Sequence, residues 1–260
     1  MDSYRPPTFS MFPPVVKNLL IANVICYLAT IVVMKVSQID ITQYFGLHYF
    51  QSSDFKIYQL VTYLFLHDPT TIFHILFNMF ALWMFGNSIE NYWGAKRFLV
   101  FYFVCGIGAG LTQEFVQYLY FHHIHQVLEV FSSAPNQSDF STIALKYFGT
   151  AVSGGTPPEW MDFLQKAYQD SMNQANTIGA SGAIFGILLA FGMIFPNTEL
   201  FIMFIPIPVK AKYVVIGYGL IELFSAAYNR PGDNVAHYAH LGGMVFGFFL
   251  IMYWRRKRSI

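Results

Sequence analysis

The chain has 260 residues, of which 55% are hydrophobic, 19% are aromatic and only 11% are charged. Soluble domains usually carry about 25% charged residues, so this composition excludes a soluble globular protein and indicates a polytopic membrane protein. The net charge of +1 also argues against nucleic acid as a partner.

Six apolar stretches approach the length that a helix needs to cross a bilayer, roughly 20 residues. They lie at about 16–36, 71–93, 96–121, 178–195, 209–228 and 236–254. The first stretch is too long for a signal-peptide core and has no convincing cleavage site, so we expect the chain to insert through this helix. These stretches predict an all-α membrane protein with six transmembrane helices.

The connection at 37–70 contains a short apolar segment, 57–65, that we expect to lie at the membrane interface. The two cysteines, Cys26 and Cys105, both fall in apolar stretches. We interpret them as small core residues, not as a disulfide or a metal site.

A polar insertion at about 122–177 separates the third and fourth stretches of this single domain, 1–260. Within it, Thr156 reads as a helix N-cap, Pro157 as the first helical residue and Glu159 as the capping-box partner. Apolar residues then recur with helical spacing, which predicts an amphipathic helix lying on the protein or on lipid headgroups.

Lysine and arginine distribution predicts the orientation in the membrane. Ten of these residues lie at one set of helix ends: Arg5, Lys17, Lys96, Arg97, Lys210, Lys212, Arg255, Arg256, Lys257 and Arg258. Five lie at the other set: Lys35, Lys56, Lys146, Lys166 and Arg230. The bias predicts cytoplasmic termini and an outward-facing insertion. A bacterial inner membrane is the preferred location, with an organelle membrane left open.

Polar side chains inside a membrane are functional candidates because their burial there is costly. Ser181 lies between Gly179 and Gly182 at the start of the fourth stretch. Taken alone, these glycines favour close helix packing, since Gly182 and Gly186 form a G-x-x-x-G pair. However, the 15 residues from Ser181 to Phe195 span only about 22 Å of helix, which is less than the hydrocarbon core of about 30 Å. We therefore expect Ser181 to lie below the outer surface, beside free backbone N–H groups that can stabilise an oxyanion.

His240 precedes a second pair of glycines, Gly243 and Gly247. Packing of the two smooth faces would bring His240 near Ser181, where a neutral imidazole could take the serine proton. The alternative is a hydrogen-bonded structural histidine. Three residues earlier, His237 could be a second base, an orienting group or a surface residue.

His74 and Asn78 lie four residues apart on one face of the second stretch. Both can donate hydrogen bonds to an oxyanion, or they can join helices as polar contacts. His122, His123 and His125 form a cluster, but no matching ligand pair supports a metal site there.

These residues resemble the motifs of the rhomboid family, and they occur in the family's order. The matching segments are His74-Ile75-Leu76-Phe77-Asn78, Gly86 to Glu90 with Gly94, Gly179-Ala180-Ser181-Gly182, and Ala239-His240 with Gly243 and Gly247. The resemblance covers about residues 55–110 and 176–252.

The resemblance implies a six-helix rhomboid bundle with an outward-facing Ser–His dyad, no metal and no cofactor. Ser181 is then the nucleophile and His240 the general base. His74, Asn78 and the Ser181 backbone N–H would form the oxyanion hole, with Gly179 among the binding residues. Phe185 would pack on His240, Glu90 would be a structural polar contact, and Gly182, Gly243 and Gly247 would support the packing. The connection from Tyr228 to Val235 would help to gate substrate entry.

The implied activity is that of an intramembrane serine endopeptidase acting on membrane-anchored proteins in the lipid bilayer. Two rival interpretations are an inactive rhomboid-like protein that binds or escorts membrane proteins, and a transporter or channel. Intact Ser181 and His240 argue against the first, and the lack of a sequence repeat argues against the second. One departure is Tyr58-Gln59, which replaces the family's Trp-Arg and puts the polar anchoring of the first loop in doubt. The natural substrate and the oligomeric state are not predicted.

Overall fold

The computed structural model describes residues 9–201, 207–228 and 236–258 and consists mostly of helices. Six of the described helices overlap the six apolar stretches: α1 (Pro14–Ser37), α4 (Ile72–Trp93), α5 (Ala95–Ser133), α8 (Ser181–Ile194), α9 (Ala211–Tyr228) and α10 (His237–Arg258). The proposed gate from Tyr228 to Val235, and the charges of Arg5 and Arg230, fall almost wholly outside the described residues.

Three of the described helices, α1, α4 and α5, are long and apolar enough to cross a membrane. The helix α8 is apolar but has only 14 residues, about 21 Å of rise. Large apolar side chains on α1 and α9, such as Ile25, Val32, Ile216 and Phe224, are exposed. Apolar side chains that face outwards from helices suit contact with lipid. The chain is thus a helical membrane protein.

Short elements complete the connection between α1 and α4: α2 (Thr42–Phe45), α3 (Gln59–Thr62) and a 3₁₀ turn at Tyr63–Phe65. Within it, β1 (Leu47–His48) pairs antiparallel with β2 (Asn176–Thr177), which immediately precedes α8. A second antiparallel pair, β3 (Glu199–Phe201) with β4 (Pro208–Lys210), precedes α9. The β1–β2 pairing therefore fixes the first loop against the segment that precedes Ser181.

The polar insertion is more helical than its composition suggested. The helix α5 continues to Ser133, so residue 122 is not its end, and α6 (Gln137–Phe148) and α7 (Pro157–Gln174) follow. These three helices bury a small core of their own, which includes Phe121, Leu128, Phe140 and Trp160. The amphipathic helix therefore lies on the protein.

The helix α7 begins where the sequence predicted. Pro157 is its first residue, and the Thr156 backbone N–H donates to the Glu159 carboxylate at 2.7 Å. The predicted helix start and its capping partner are confirmed. The Thr156 hydroxyl also donates to this carboxylate, at 2.9 Å. The two hydrogen bonds lower the pKa of the exposed Glu159.

The main core lies between α4, α5, α8 and α10 and contains Leu82, Phe101, Cys105 and Ile187. Cys105 is buried and Cys26 is half-buried, and both thiols are free, as expected of small packing residues. The helix α8 lies at the centre, in contact with each of the other three.

Candidate active site

Ser181 and His240 touch. The Ser181 hydroxyl oxygen lies 2.7 Å from Nε2 of His240. Ser181 is the first residue of α8, and His240 lies in the first turn of α10. Their separation of 59 residues in sequence is bridged because the two helices pack side by side.

Glycines permit this close packing. A Cβ on Gly243 would overlap the carbonyl oxygen of Gly182, and a Cβ on Gly186 would lie 2.5 Å from the Cys105 sulfur. A Cβ on Gly247 would lie 3.4 Å from the Gly186 Cα. The two G-x-x-x-G faces therefore meet, with Cys105 of α5 filling the space beside them, and they set the distance between Ser181 and His240.

The ring of Phe185 stacks on the His240 imidazole. The two ring centroids lie 4.3 Å apart and the planes differ by only 9°. Phe185 is one turn after Ser181 on α8, so the helix carries both the hydroxyl and the flat surface that the imidazole rests on. The stack restricts rotation of the imidazole away from Ser181.

Gly179 has a φ of +126°, a conformation that glycine adopts without strain. A Cβ there would lie 3.0 Å from Nε2 of His74 and 3.7 Å from the Ser181 hydroxyl oxygen. His74 and Ser181 therefore approach the same small space, which is open because residue 179 has no side chain. The Gly179 N–H donates to the Tyr63 carbonyl at 2.9 Å and holds this loop in place.

Asn78 is buried one turn after His74, and its side-chain amide donates to the His74 carbonyl at 3.0 Å. That hydrogen bond uses one of two amide hydrogens and leaves the other for a ligand. On the opposite side, the Ile184 N–H is bonded to the Ala180 carbonyl. The N–H groups of Ser181, Gly182 and Ala183 precede this first helical bond and are free to stabilise an anion.

Glu222 of α9, which the sequence analysis missed, completes the cluster. Its Oε2 lies 3.0 Å from Nδ1 of His240 and 2.5 Å from Nδ1 of His237. All three side chains are largely buried. The signal was present in the sequence, since a carboxylate within an apolar stretch is itself a functional candidate.

Within the described residues, Glu222, His237 and His240 are also the one group of three metal-ligating side chains found close together. Two ligands on a tetrahedral metal ion are about 3.3 Å apart. The 2.5 Å contact between Glu222 and His237 is shorter, which is the distance of hydrogen-bonded partners. His122, His123 and His125, by contrast, contact Gln126, Tyr147 and Glu129 respectively and do not converge.

Comparison with known proteins identifies the family. The model of the Rhomboid domain matches residues 54–123 and 131–257, which is most of the chain. The chain belongs to the rhomboid family. Members of this family are generally intramembrane serine proteases that act on membrane proteins in the bilayer.

Several curated rhomboid proteins are similar to this chain. Human presenilin-associated rhomboid-like protein, described as mitochondrial, is 24% identical over 73% of this chain and 38% of its own length. A mitochondrial rhomboid protein of Schizosaccharomyces pombe is 27% identical over 80% of this chain and 55% of its own length. Rhomboid protein 1 of Saccharomyces cerevisiae, also mitochondrial, is 25% identical over 67% and 36%. The chain thus spans between just over a third and just over half of the length of these relatives.

Two further residues support the rhomboid fold away from the Ser181 hydroxyl. Glu90 accepts the backbone N–H groups of Val15 at 2.9 Å and Val16 at 2.7 Å, and so caps α1 from α4. Gln59 is fully buried and makes four hydrogen bonds to the backbone of the first loop. The doubt about the anchoring of this loop was therefore wrong, because a glutamine amide both donates and accepts there.

His67 lies beside the site, in the connection before α4. Its ring is fully buried, and its centroid lies 5.0 Å from that of His74. Neither ring nitrogen has a hydrogen-bond partner among the described residues. Burial, together with the neighbouring His74, lowers the pKa of His67 to about 3, so this imidazole is neutral at physiological pH.

Proposed function

We propose that this rhomboid is an intramembrane serine endopeptidase that cleaves membrane-anchored proteins in or near their transmembrane segment. The observation that carries the proposal is the 2.7 Å contact between the Ser181 hydroxyl and Nε2 of His240. A nucleophile within hydrogen-bonding reach of a base is the arrangement that covalent hydrolysis requires.

In the proposed reaction, Ser181 Oγ bonds to the substrate carbonyl carbon while its proton passes to Nε2 of His240. The carbonyl electron pair moves to oxygen, and His240 then gives its proton to the leaving amine. Water, deprotonated by His240, attacks the acyl-enzyme, releases the new carboxylic acid and restores Ser181. A helical substrate must unwind locally first, because its carbonyls are otherwise hydrogen-bonded within the helix.

The oxyanion formed in each step would lie in the space that Gly179 leaves open. His74 and Asn78 approach it from α4, and the N–H groups at the start of α8 approach it from the other side. Donors that are already in place stabilise developing charge without reorganisation. We assign them to the oxyanion hole, and we assign Phe185, Gly182, Gly243 and Gly247 to support of the Ser181–His240 pair.

The proposed architecture is one six-helix domain, 1–260, with the site open to the outer side and both termini in the cytoplasm. The short α8 supports a recessed site, since its rise of about 21 Å is less than the hydrocarbon thickness. The lysine and arginine bias supports the orientation. A bacterial inner membrane remains the proposed location, and an organelle membrane is the alternative that the mitochondrial relatives favour. Fusion of reporter enzymes to the chain terminus and to the 134–136 turn would test the orientation.

The direct test is cleavage of a panel of transmembrane substrates in proteoliposomes by the wild type and by Ser181→Ala. We expect a defined product from the wild type alone, and its mass locates the cut. An inactive rhomboid-like protein that binds or escorts membrane proteins is the alternative. A fluorophosphonate probe separates the two, because only an activated Ser181 reacts with it.

A further inference from the structure

Glu222 of α9 contacts two histidines of α10 through one oxygen atom, and one of these histidines contacts Ser181 of α8. The Oε2 of this α9 carboxylate contacts Nδ1 of His240 and Nδ1 of His237, both on α10. The opposite nitrogen of the His240 ring contacts Ser181 on α8. The result is a continuous line from hydroxyl to imidazole to carboxylate, which has one member more than the Ser–His dyad implied by the family resemblance.

A carboxylate buried within a membrane helix is stable only where partners compensate its charge. Glu222 is 7% exposed. His237 is hydrogen-bonded to it, and Nδ1 of His240 lies 3.0 Å from the same oxygen without the alignment of a hydrogen bond. Donation from His240 to this oxygen, once the two groups align, requires the tautomer with hydrogen on Nδ1. That tautomer leaves the lone pair on Nε2 free to accept the Ser181 proton.

We propose that Glu222 is a positioning residue for the Ser181–His240 pair, an inference that rests on the proposed protease function. Its carboxylate selects the productive tautomer of His240 and fixes the ring between Ser181 and Phe185. It also stabilises the positive charge that the ring acquires during the reaction. The Nδ1–H of His240 is not aligned straight with Oε2 in the free protein, and such hydrogen bonds commonly tighten when substrate binds.

Glu222 neither gains nor loses a proton in the proposed reaction. When Oγ of Ser181 bonds to the substrate carbon, its proton moves to Nε2 and the imidazole becomes a cation with hydrogen on both nitrogens. Glu222 stays ionised and faces that cation at Nδ1. When Nε2 passes its proton to the leaving amine, the neutral tautomer with hydrogen on Nδ1 is restored.

The described helices around His240 place several titratable or charged groups against its ring. Among the described residues they are Ser181 on α8, Glu222 on α9, His237 on α10 and His74 on α4. The sole carboxylate among these four is that of Glu222. Removal of the Glu222 carboxylate therefore changes the electrostatic potential at the reacting imidazole. If Glu222 acted only through its shape, its replacement by the similarly sized glutamine would not change the pH dependence of the reaction.

The test compares Glu222→Gln with wild type in proteoliposomes, using a transmembrane substrate and a fluorophosphonate probe. We expect kcat to fall by about 10²–10⁴-fold, with KM changed by less than about threefold. The probe should label Ser181 correspondingly slowly, and the acid limb of the kcat/KM pH profile should move to lower pH. Glu199→Gln, which removes an exposed carboxylate on β3, is the matched control and should leave every quantity unchanged.

A second pair of variants separates positioning from simple tethering of α9 to α10. Glu222→Asp keeps the charge but withdraws it by one methylene, so we expect about a tenfold loss of kcat with the acid limb unmoved. His237→Asn removes the shorter contact to Glu222 and should reduce kcat much less than Glu222→Gln does. Equal losses in Glu222→Gln and His237→Asn, with unmoved pH profiles, would show a tether and overturn the proposal.

The outcomes distinguish this inference from the proposed function. If the wild type neither cleaves nor reacts with the probe, the protease function fails. If the wild type cleaves, Ser181→Ala does not, and Glu222→Gln retains the wild-type kcat, only the role of Glu222 fails. Where Glu222→Gln does not fold, as judged by its thermal transition in detergent, Glu222→Asp decides, and a wild-type kcat in that variant overturns the inference.

Discussion

A Cβ on Gly243 in α10 would overlap the carbonyl oxygen of Gly182 in α8, so the two helices leave no room there for a methyl group. These glycines follow Ser181 by one residue and His240 by three. The spacing of the proposed nucleophile and base is therefore set by a backbone contact and does not depend on the side chains alone.

Gly243→Ala should push α8 and α10 apart. Overpacking of a close contact costs about 1–3 kcal/mol, and the same displacement lengthens the 2.7 Å contact of Ser181 with His240. We expect a lower thermal transition and a lower kcat, measured in detergent and in proteoliposomes. Gly217→Ala on α9 is the control, because a Cβ there meets nothing within 4 Å. Retention of both quantities in Gly243→Ala would contradict the packing account.

Glu90→Gln should weaken the attachment of α1 to α4. The carboxylate uses one oxygen for each of the Val15 and Val16 N–H groups, and an amide can accept only one of them. An unsatisfied buried N–H costs about 1–3 kcal/mol, so the thermal transition should fall. Since Glu90 is remote from Ser181, kcat of the folded fraction should stay within a few-fold of wild type. A large loss of kcat with normal stability would assign Glu90 a different role.

His67 should make the protein sensitive to mild acid. Its pKa is about 3 in the folded state and near 6.5 when unfolded, so the unfolded state binds more protons between these values. The contribution of neutral His67 to the free energy of unfolding is therefore fully present above pH 6.5 and is lost progressively as the pH falls towards 3. From pH 6.5 to pH 5 the expected loss is about 2 kcal/mol. Thermal transitions at both pH values should show a smaller acid shift for His67→Leu, and an equal shift would refute this assignment.

His74→Leu should remove one donor from the proposed oxyanion hole. Loss of such a donor typically lowers kcat by about 10²–10³-fold, and KM should change little because the donor acts on charge formed during the reaction. Cleavage kinetics in proteoliposomes measure both constants. His67→Leu replaces the adjacent imidazole, 5.0 Å away between centroids, and should stay within a few-fold of wild-type kcat. Equal effects of the two substitutions would argue against the oxyanion role of His74.

The positions of the apolar helices could be read from the sequence because each forms a continuous apolar stretch. Ser181 and His240 could be singled out because polar residues are rare there, and the two G-x-x-x-G pairs predicted that they approach each other, but the direct contact could not be predicted. It depends on how α8 and α10 pack in three dimensions. Phe185 and Glu90 were assigned through the family resemblance, and the structure places Phe185 on the His240 ring and Glu90 at the start of α1.

Glu222, the extension of α5 and the helix α6 were missed for different reasons. Glu222 is a single acidic residue in a stretch judged by its overall apolarity, and its two histidine partners lie on the next helix, α10. The extension of α5 to Ser133 and the helix α6 contain many polar residues. Their apolar residues pack in a small separate core with α7 and Tyr49 of the first loop, so composition alone suggested a polar connection.

The central claim is that Ser181, activated by His240, hydrolyses a peptide bond within the membrane. The most direct measurement is mass spectrometry of the products formed from a transmembrane substrate in proteoliposomes by the wild type and by Ser181→Ala. The account predicts two fragments whose masses sum to that of the substrate plus one water, formed by the wild type and absent with Ser181→Ala. Cleavage by Ser181→Ala at the wild-type rate would contradict it.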